Sequence, residues 1–184
     1  MIHYIKIFHI CQEKAVLSQE NSCMDLSLNT NMKIYKRKSI NESVRSHLSM
    51  LKGIGHDSTI VDFLIKYGKN YNQGDKTYLG KRGQQKLCFM NAGRLALSDP
   101  DLTYVEGYME FLGIPLEHAW VIDKQNNVID PTLPNGKGVT EYYGVPLKTD
   151  WFQKFILKNK YWGVFGYRSH KTLLTLKPET GVQK

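Results

Sequence analysis

Apolar positions along this 184-residue chain fall into short blocks separated by glycine, proline and amide-rich breaks. Residues 2–10 are apolar but interrupted by His3, Lys6 and His9, and the pattern does not choose between a strand and a helix. Residues 12–31 are rich in Ser, Asn and Gln and carry no periodicity, so residues 1–31 are expected to form a poorly ordered extension. The organised region, residues 32–184, has the length of one domain. Asn41 suits the cap of a helix running to about Leu51. Ser58 suits the cap of a second helix, with Ile60, Val61, Leu64 and Ile65 on one stripe and Gly68 as its stop. A glycine-punctuated loop then leads to Cys88. Cys88, Ala92, Leu95 and Ala96 recur at helical spacing, and Pro100 ends that helix.

Residues 103–111 read as a strand, followed by a loop at Gly113 and Pro115. "HAWVID" (118–123) and "NVIDPT" (127–132) read as two strands of a hairpin turning at residues 124–126. "VTEYYGV" (139–145) is expected to be extended. Thr149 is the expected cap of a helix carrying Trp151, Phe152, Phe155 and Ile156, and "YWGVFGY" (161–167) a last strand. The expected class is α+β, with the Cys88-bearing helix packed on a mostly antiparallel sheet.

Charge adds a possible partner. There are 25 Lys and Arg against 17 Asp and Glu, a net +8. Lys33, Lys36, Arg37 and Lys38 lie early, and Lys81, Arg82 and Lys86 precede the cysteine. An acidic partner or a nucleic acid is compatible with this balance. No zinc-finger spacing, basic helix or aromatic RNA-binding signature accompanies it. Three widely spaced cysteines, Cys11, Cys23 and Cys88, argue against a disulfide framework or a metal site and fit a reducing, cytoplasmic setting. No apolar run reaches membrane-spanning length.

Three residues suggest chemistry. Cys88 stands at a helix N-terminus, where unpaired N–H groups favour a thiolate, and the thiolate is the reactive form. A buried structural cysteine is the plain alternative. His118 shares one strand face with Trp120 and Ile122. Asp130 precedes a proline, as turn-initiating aspartates do. The hairpin register decides whether the last two meet. A five-residue loop sets His118 directly opposite Asp130, and a three-residue loop makes them diagonal neighbours on the same face. A two-residue turn at Gln125 and Asn126 puts them on opposite faces. "KQNN" lacks the Asn-Gly or Asp-Gly that so tight a turn prefers.

If the three converge, Cys88 is the nucleophile, His118 its proton acceptor and later donor, and Asp130 the group that orients the imidazole. The Cys88 backbone N–H and the side-chain amide of Gln84 or Gln85 are the candidate oxyanion donors. Asn91, Trp120, Tyr142 and Tyr143, with Tyr108 and Trp162, are candidate pocket residues, although aromatics so spaced also build cores. Glu106 and Glu117 are candidates for recognising a basic substrate.

In this order — "CFMNAGRLAL", "TYVEGYMEFLGIPLEHAWVID", "NVIDPT", "YYGVP" — the motifs resemble the transglutaminase-like branch of the papain-like cysteine enzymes, and small bacterial and phage proteins of that type in particular. The likeness covers residues 85–146, about a third of the chain. It implies a papain-like, transglutaminase-like core with a Cys88–His118–Asp130 triad. It also implies action on an amide or isopeptide bond of a protein or peptide, as peptidase, deamidase or acyltransferase, without metal or cofactor. The short spacings imply a reduced core without calcium sites. The alternative is a catalytically inactive domain of the same fold that engages a protein or nucleic acid through its basic surface.

Overall fold

The apolar stripes of the sequence become helices laid against one face of an antiparallel sheet. The computed structural model describes residues 43–53, 58–71, 80, 82–133, 135–165 and 177–183. All belong to one unit, Arg37–Lys184. The extension expected at residues 1–31, the cap at Asn41, and the early cations Lys33, Lys36, Arg37 and Lys38 lie outside the described residues, as does Lys81.

Four α-helices are seen among the described residues. Helix α1 (Ser43–Gly53) buries Val44, Leu48 and Leu51. Helix α2 (Ser58–Tyr67) buries Val61, Phe63 and Leu64, and the Gly68 N–H donates to the Leu64 carbonyl at its end. Helix α3 (Cys88–Ser98) turns Ala92, Gly93 and Ala96 inward. Helix α4 (Thr149–Asn159) buries Trp151, Phe152 and Phe155. Its cap position belongs to Lys148, not to Thr149, and carries no side-chain cap.

The strands are β1 (Lys69–Tyr71), β2 (Thr103–Phe111), β3 (Ile114–Ile122), β4 (Val128–Ile129) and β5 (Val139–Leu147). Their order in the sheet is β1-β5-β2-β3-β4, and every pairing is antiparallel. The fold is therefore mixed α/β, with the cysteine-bearing helix packed on an antiparallel sheet.

Alternation along each strand separates two cores. Tyr104, Tyr108, Ala119, Val121, Tyr143, Val145 and Leu147 face the helices. Val105, Met109, Trp120, Ile122, Val128 and Tyr142 form a second cluster on the other face, joined by Tyr71. The His118 side chain belongs to this second face. Gly144 makes room for Trp120 on that face: a methyl group there would come within 2.7 Å of Trp120 Cη2 and 2.8 Å of the Glu106 carbonyl.

Three elements differ from the sequence reading. Strand β1 falls where the reading has only loop. Strand β3 begins at Ile114 rather than His118, because Leu112 and Gly113, both at positive φ, close a two-residue hairpin between β2 and β3. Pro115 is tolerated in that strand because β4 pairs only with Val121 and Ile122, which leaves the β3 edge beside Pro115 without a ladder.

The last strand expected at 161–167 does not form over its described part, residues 161–165. The N–H groups of Val164 and Phe165 donate instead to the Glu106 carboxylate, at 2.8–2.9 Å. A buried side chain has taken the donors that a sheet ladder needs.

Candidate active site

The β3–β4 hairpin adopts the three-residue loop. Val121 pairs with Ile129 and Ile122 with Val128. Beyond them the Asp123 N–H reaches the Asn127 carbonyl, closing a loop of residues 124–126. Asn126 sits at φ 64°, the left-handed residue that such loops require. The Asp123 carboxylate accepts bonds from the N–H groups of Gln125 and Asn127 and rigidifies the turn.

In this register His118 and Asp130 are diagonal neighbours on one face. His118 Nε2 lies 2.6 Å from Asp130 Oδ2, and both residues are buried, at 3% and 4% exposure. Asp130 serves two purposes with two oxygens. Oδ1 accepts the N–H groups of Thr132 and Leu133, the expected turn, while Oδ2 takes His118 and the hydroxyl of Tyr142, 3.1 Å away.

Cys88 is the first residue of α3 and the one free cysteine among the described residues. Its thiol lies close enough to the His118 ring to help raise the imidazole pKa. The helix start is tied to the hairpin by a strap of polar contacts. Asn91, one turn after Cys88, donates from Nδ2 to the Gln84 carbonyl (2.8 Å) and to Thr132 Oγ1 (3.0 Å). The Gly83 N–H donates to the Pro131 carbonyl, and Arg82 Nε to that of Thr132. Gly83 is needed here, because a methyl group on it would fall 2.3 Å from Asn91 Cγ.

Electrostatics follow from this packing. Burial pushes the His118 pKa down, but the adjacent Asp130 charge, its hydrogen bond and Cys88 outweigh it and raise the imidazole to about 10. Burial pushes Asp130 up. The charge and hydrogen bond of His118 and the N–H groups of Leu133 and Thr132 prevail, and hold the carboxyl below its usual range. At neutral pH the pair is an imidazolium facing a carboxylate.

The remaining candidates are placed as follows. Gln84 and Gln85 lie in the turn before α3 with exposed side chains, and the contact made by Gln84 is through its carbonyl. The Cys88 N–H is in the first turn of the helix, where no intrahelical acceptor exists. Trp120, Tyr142 and Tyr143 are 0–2% exposed. In place of pocket walls they are core. The Trp120 ring lies nearly parallel to that of His118, with centroids 6.3 Å apart, and Tyr142 holds Asp130. Tyr143 is on the helix-facing side, where its hydroxyl bonds the carbonyls of Leu64 and Ile65. Asn91 fastens the loop to the helix.

Glu117 is exposed, but Glu106, expected to be a surface carboxylate, is 2% exposed. Burial raises Glu106 to about 7 against the pull of Tyr104 and the N–H groups of Phe165 and Val164. Sequence reasoning missed Thr132, Arg82 and Gly83. Only the Thr of "DPT" carried a signal, since its hydroxyl stands two residues beyond the aspartate.

Among the described residues no helix is long and apolar enough to cross a membrane. Comparison with family models, with curated proteins and with solved structures finds no match to this chain.

Proposed function

We propose that this chain is a thiol-dependent hydrolase or acyltransferase with a transglutaminase-like, papain-like core, acting on an amide or isopeptide bond of a protein or peptide. The observation that carries the reading is the buried 2.6 Å His118–Asp130 contact on a ring that also interacts with Cys88 at the start of a helix. Neither a core histidine nor a turn aspartate needs the other, and neither needs a thiol.

The chemistry runs as a balanced two-step transfer. The Cys88 thiolate attacks the carbonyl carbon, forming an S–C bond and an oxyanion, toward which the Cys88 N–H is a donor. His118, already protonated at neutral pH, passes its proton to the departing nitrogen as the C–N bond breaks, leaving a thioester. Water or an amine then attacks the thioester and gives a proton to His118, and the thiolate leaves. Asp130 keeps the imidazolium oriented and compensates its charge throughout.

Iodoacetamide near neutral pH tests the thiol. Cys88 should label faster than Cys11 and Cys23, and His118→Ala should slow it. Incubation of the wild type and Cys88→Ala with a cell lysate, followed by mass spectrometry, tests the reaction. New peptide termini, deamidations or cross-links specific to the wild type are expected, and identical products from both would remove the enzyme reading for the substrates present.

A further inference from the structure

We propose that Tyr142 is a positioning residue of the thiol site, one that acts through Asp130 rather than on substrate. The inference rests on the thiol-enzyme reading above. The sequence offers Tyr142 as a pocket wall, but at 1% exposure it cannot line an opening. Its hydroxyl donates to Asp130 Oδ2 at 3.1 Å, the same oxygen that faces His118 Nε2 at 2.6 Å. With Thr132 and Leu133 on Oδ1, each carboxylate oxygen has two donors. Rotation of the carboxylate would break all four bonds at once, so the phenol locks the angle at which Asp130 meets the ring.

Tyr142 is itself held. Its ring packs edge-on against Trp120 at 5.0 Å, and Trp120 lies nearly parallel to His118. Strand β5 thereby supports, from across the sheet, a pair carried by the β3–β4 hairpin, although no ladder joins β5 to β3. The titratable or charged groups around the pair are Cys88 from α3, Tyr142 from β5, Tyr71 from β1 behind Trp120, and Arg82 on the Thr132 carbonyl.

Removing only the hydroxyl has a signed consequence. Asp130 loses a donor and becomes easier to protonate, and the imidazolium facing Cys88 is less firmly oriented. Both effects loosen the imidazole that partners the thiol, so Cys88 should react more slowly.

The experiment is the pH profile of Cys88 alkylation by iodoacetamide in the full chain, for the wild type, His118→Ala and Tyr142→Phe. Tyr142→Phe is expected to react several-fold more slowly than the wild type on the acid side of the profile, within the size that a hydrogen bond to a charged group supports. A folded Tyr142→Phe with the wild-type profile overturns the proposal and leaves Tyr142 a core residue. If Tyr142→Phe does not fold, 3-fluorotyrosine placed at position 142 keeps the shape and strengthens the donor. Alkylation on the acid side should then be faster than in the wild type, and an unchanged rate overturns the proposal. Wild-type alkylation that is indifferent to His118→Ala would fail the thiol-enzyme reading, and this inference with it. Dependence on His118 with indifference to Tyr142 would fail this inference alone.

Discussion

Asp130 Oδ2 and His118 Nε2 face each other at 2.6 Å inside the protein, and the diagonal register of one short hairpin sets that distance. The pair is desolvated, so its members depend on one another. Removing one leaves the other without compensation.

Asp130→Ala should accordingly lower stability by about 3–5 kcal/mol, the usual cost of breaking a buried pair. Two backbone N–H groups and the Tyr142 hydroxyl also lose their acceptor. Urea denaturation measures the loss. A change below 1 kcal/mol would mean that the pair is not formed in solution.

Glu106 and His118 each make stability fall as pH rises, in different windows. Glu106 titrates from an ordinary 4.5 to about 7 in the fold, and His118 from 6.5 to about 10. Each has its folded value above its unfolded one, so its contribution is full below the unfolded value and is lost as pH passes through the folded value. Asp130 runs the other way. Its folded value is lowered, so its contribution holds above its ordinary range and is lost in acid. Urea midpoints against pH should therefore decline from 4.5 to 7 in a Glu106-dependent manner, and from 6.5 to 10 in a His118-dependent manner. Glu106→Gln should flatten the first decline and His118→Gln the second. Declines that survive both substitutions would assign the effect elsewhere.

Glu106→Ala should release the segment at Val164 and Phe165. The carboxylate accepts both their N–H groups and the Tyr104 hydroxyl, the last at 2.6 Å. Burying these donors unpaired costs about 3 kcal/mol. Hydrogen exchange should rise at residues 164 and 165 before the sheet opens. Unchanged protection there would count against the contact.

Asn91→Ala should affect reactivity more than stability. Two hydrogen bonds are lost, at about 1 kcal/mol each, yet they tie the helix bearing Cys88 to the turn bearing Asp130. Cys88 labelling should slow several-fold while the thermal midpoint drops only a few degrees. Gly83→Ala should reproduce the effect by pushing the Asn91 amide aside. Wild-type labelling in both variants would show that the strap does not set the thiol position.

Local chemistry was legible in the sequence wherever one element decided it. Helical spacing from Cys88 to Ser98, the stripe in α2 with its Gly68 stop, and the alternation of the β3–β4 hairpin are short-range patterns, and "KQNN" disfavoured the one turn that would have separated His118 from Asp130. What stayed hidden involved partners distant along the chain. Residues 161–165 read as a strand until Glu106, nearly sixty residues earlier, claims their N–H groups. Trp120 and Tyr142 read equally well as pocket or core, because periodicity gives a face without saying what covers it.

The order of residues by itself determined the helix that starts at the thiol and the face that carries the imidazole, since backbone geometry repeats at fixed periods. Only the tertiary structure decided that imidazole, carboxylate and phenol share one buried cluster beside the half-buried thiol. That outcome depends on the strand order β5-β2-β3-β4 and on close packing at Gly83 and Gly144, which no local repeat encodes.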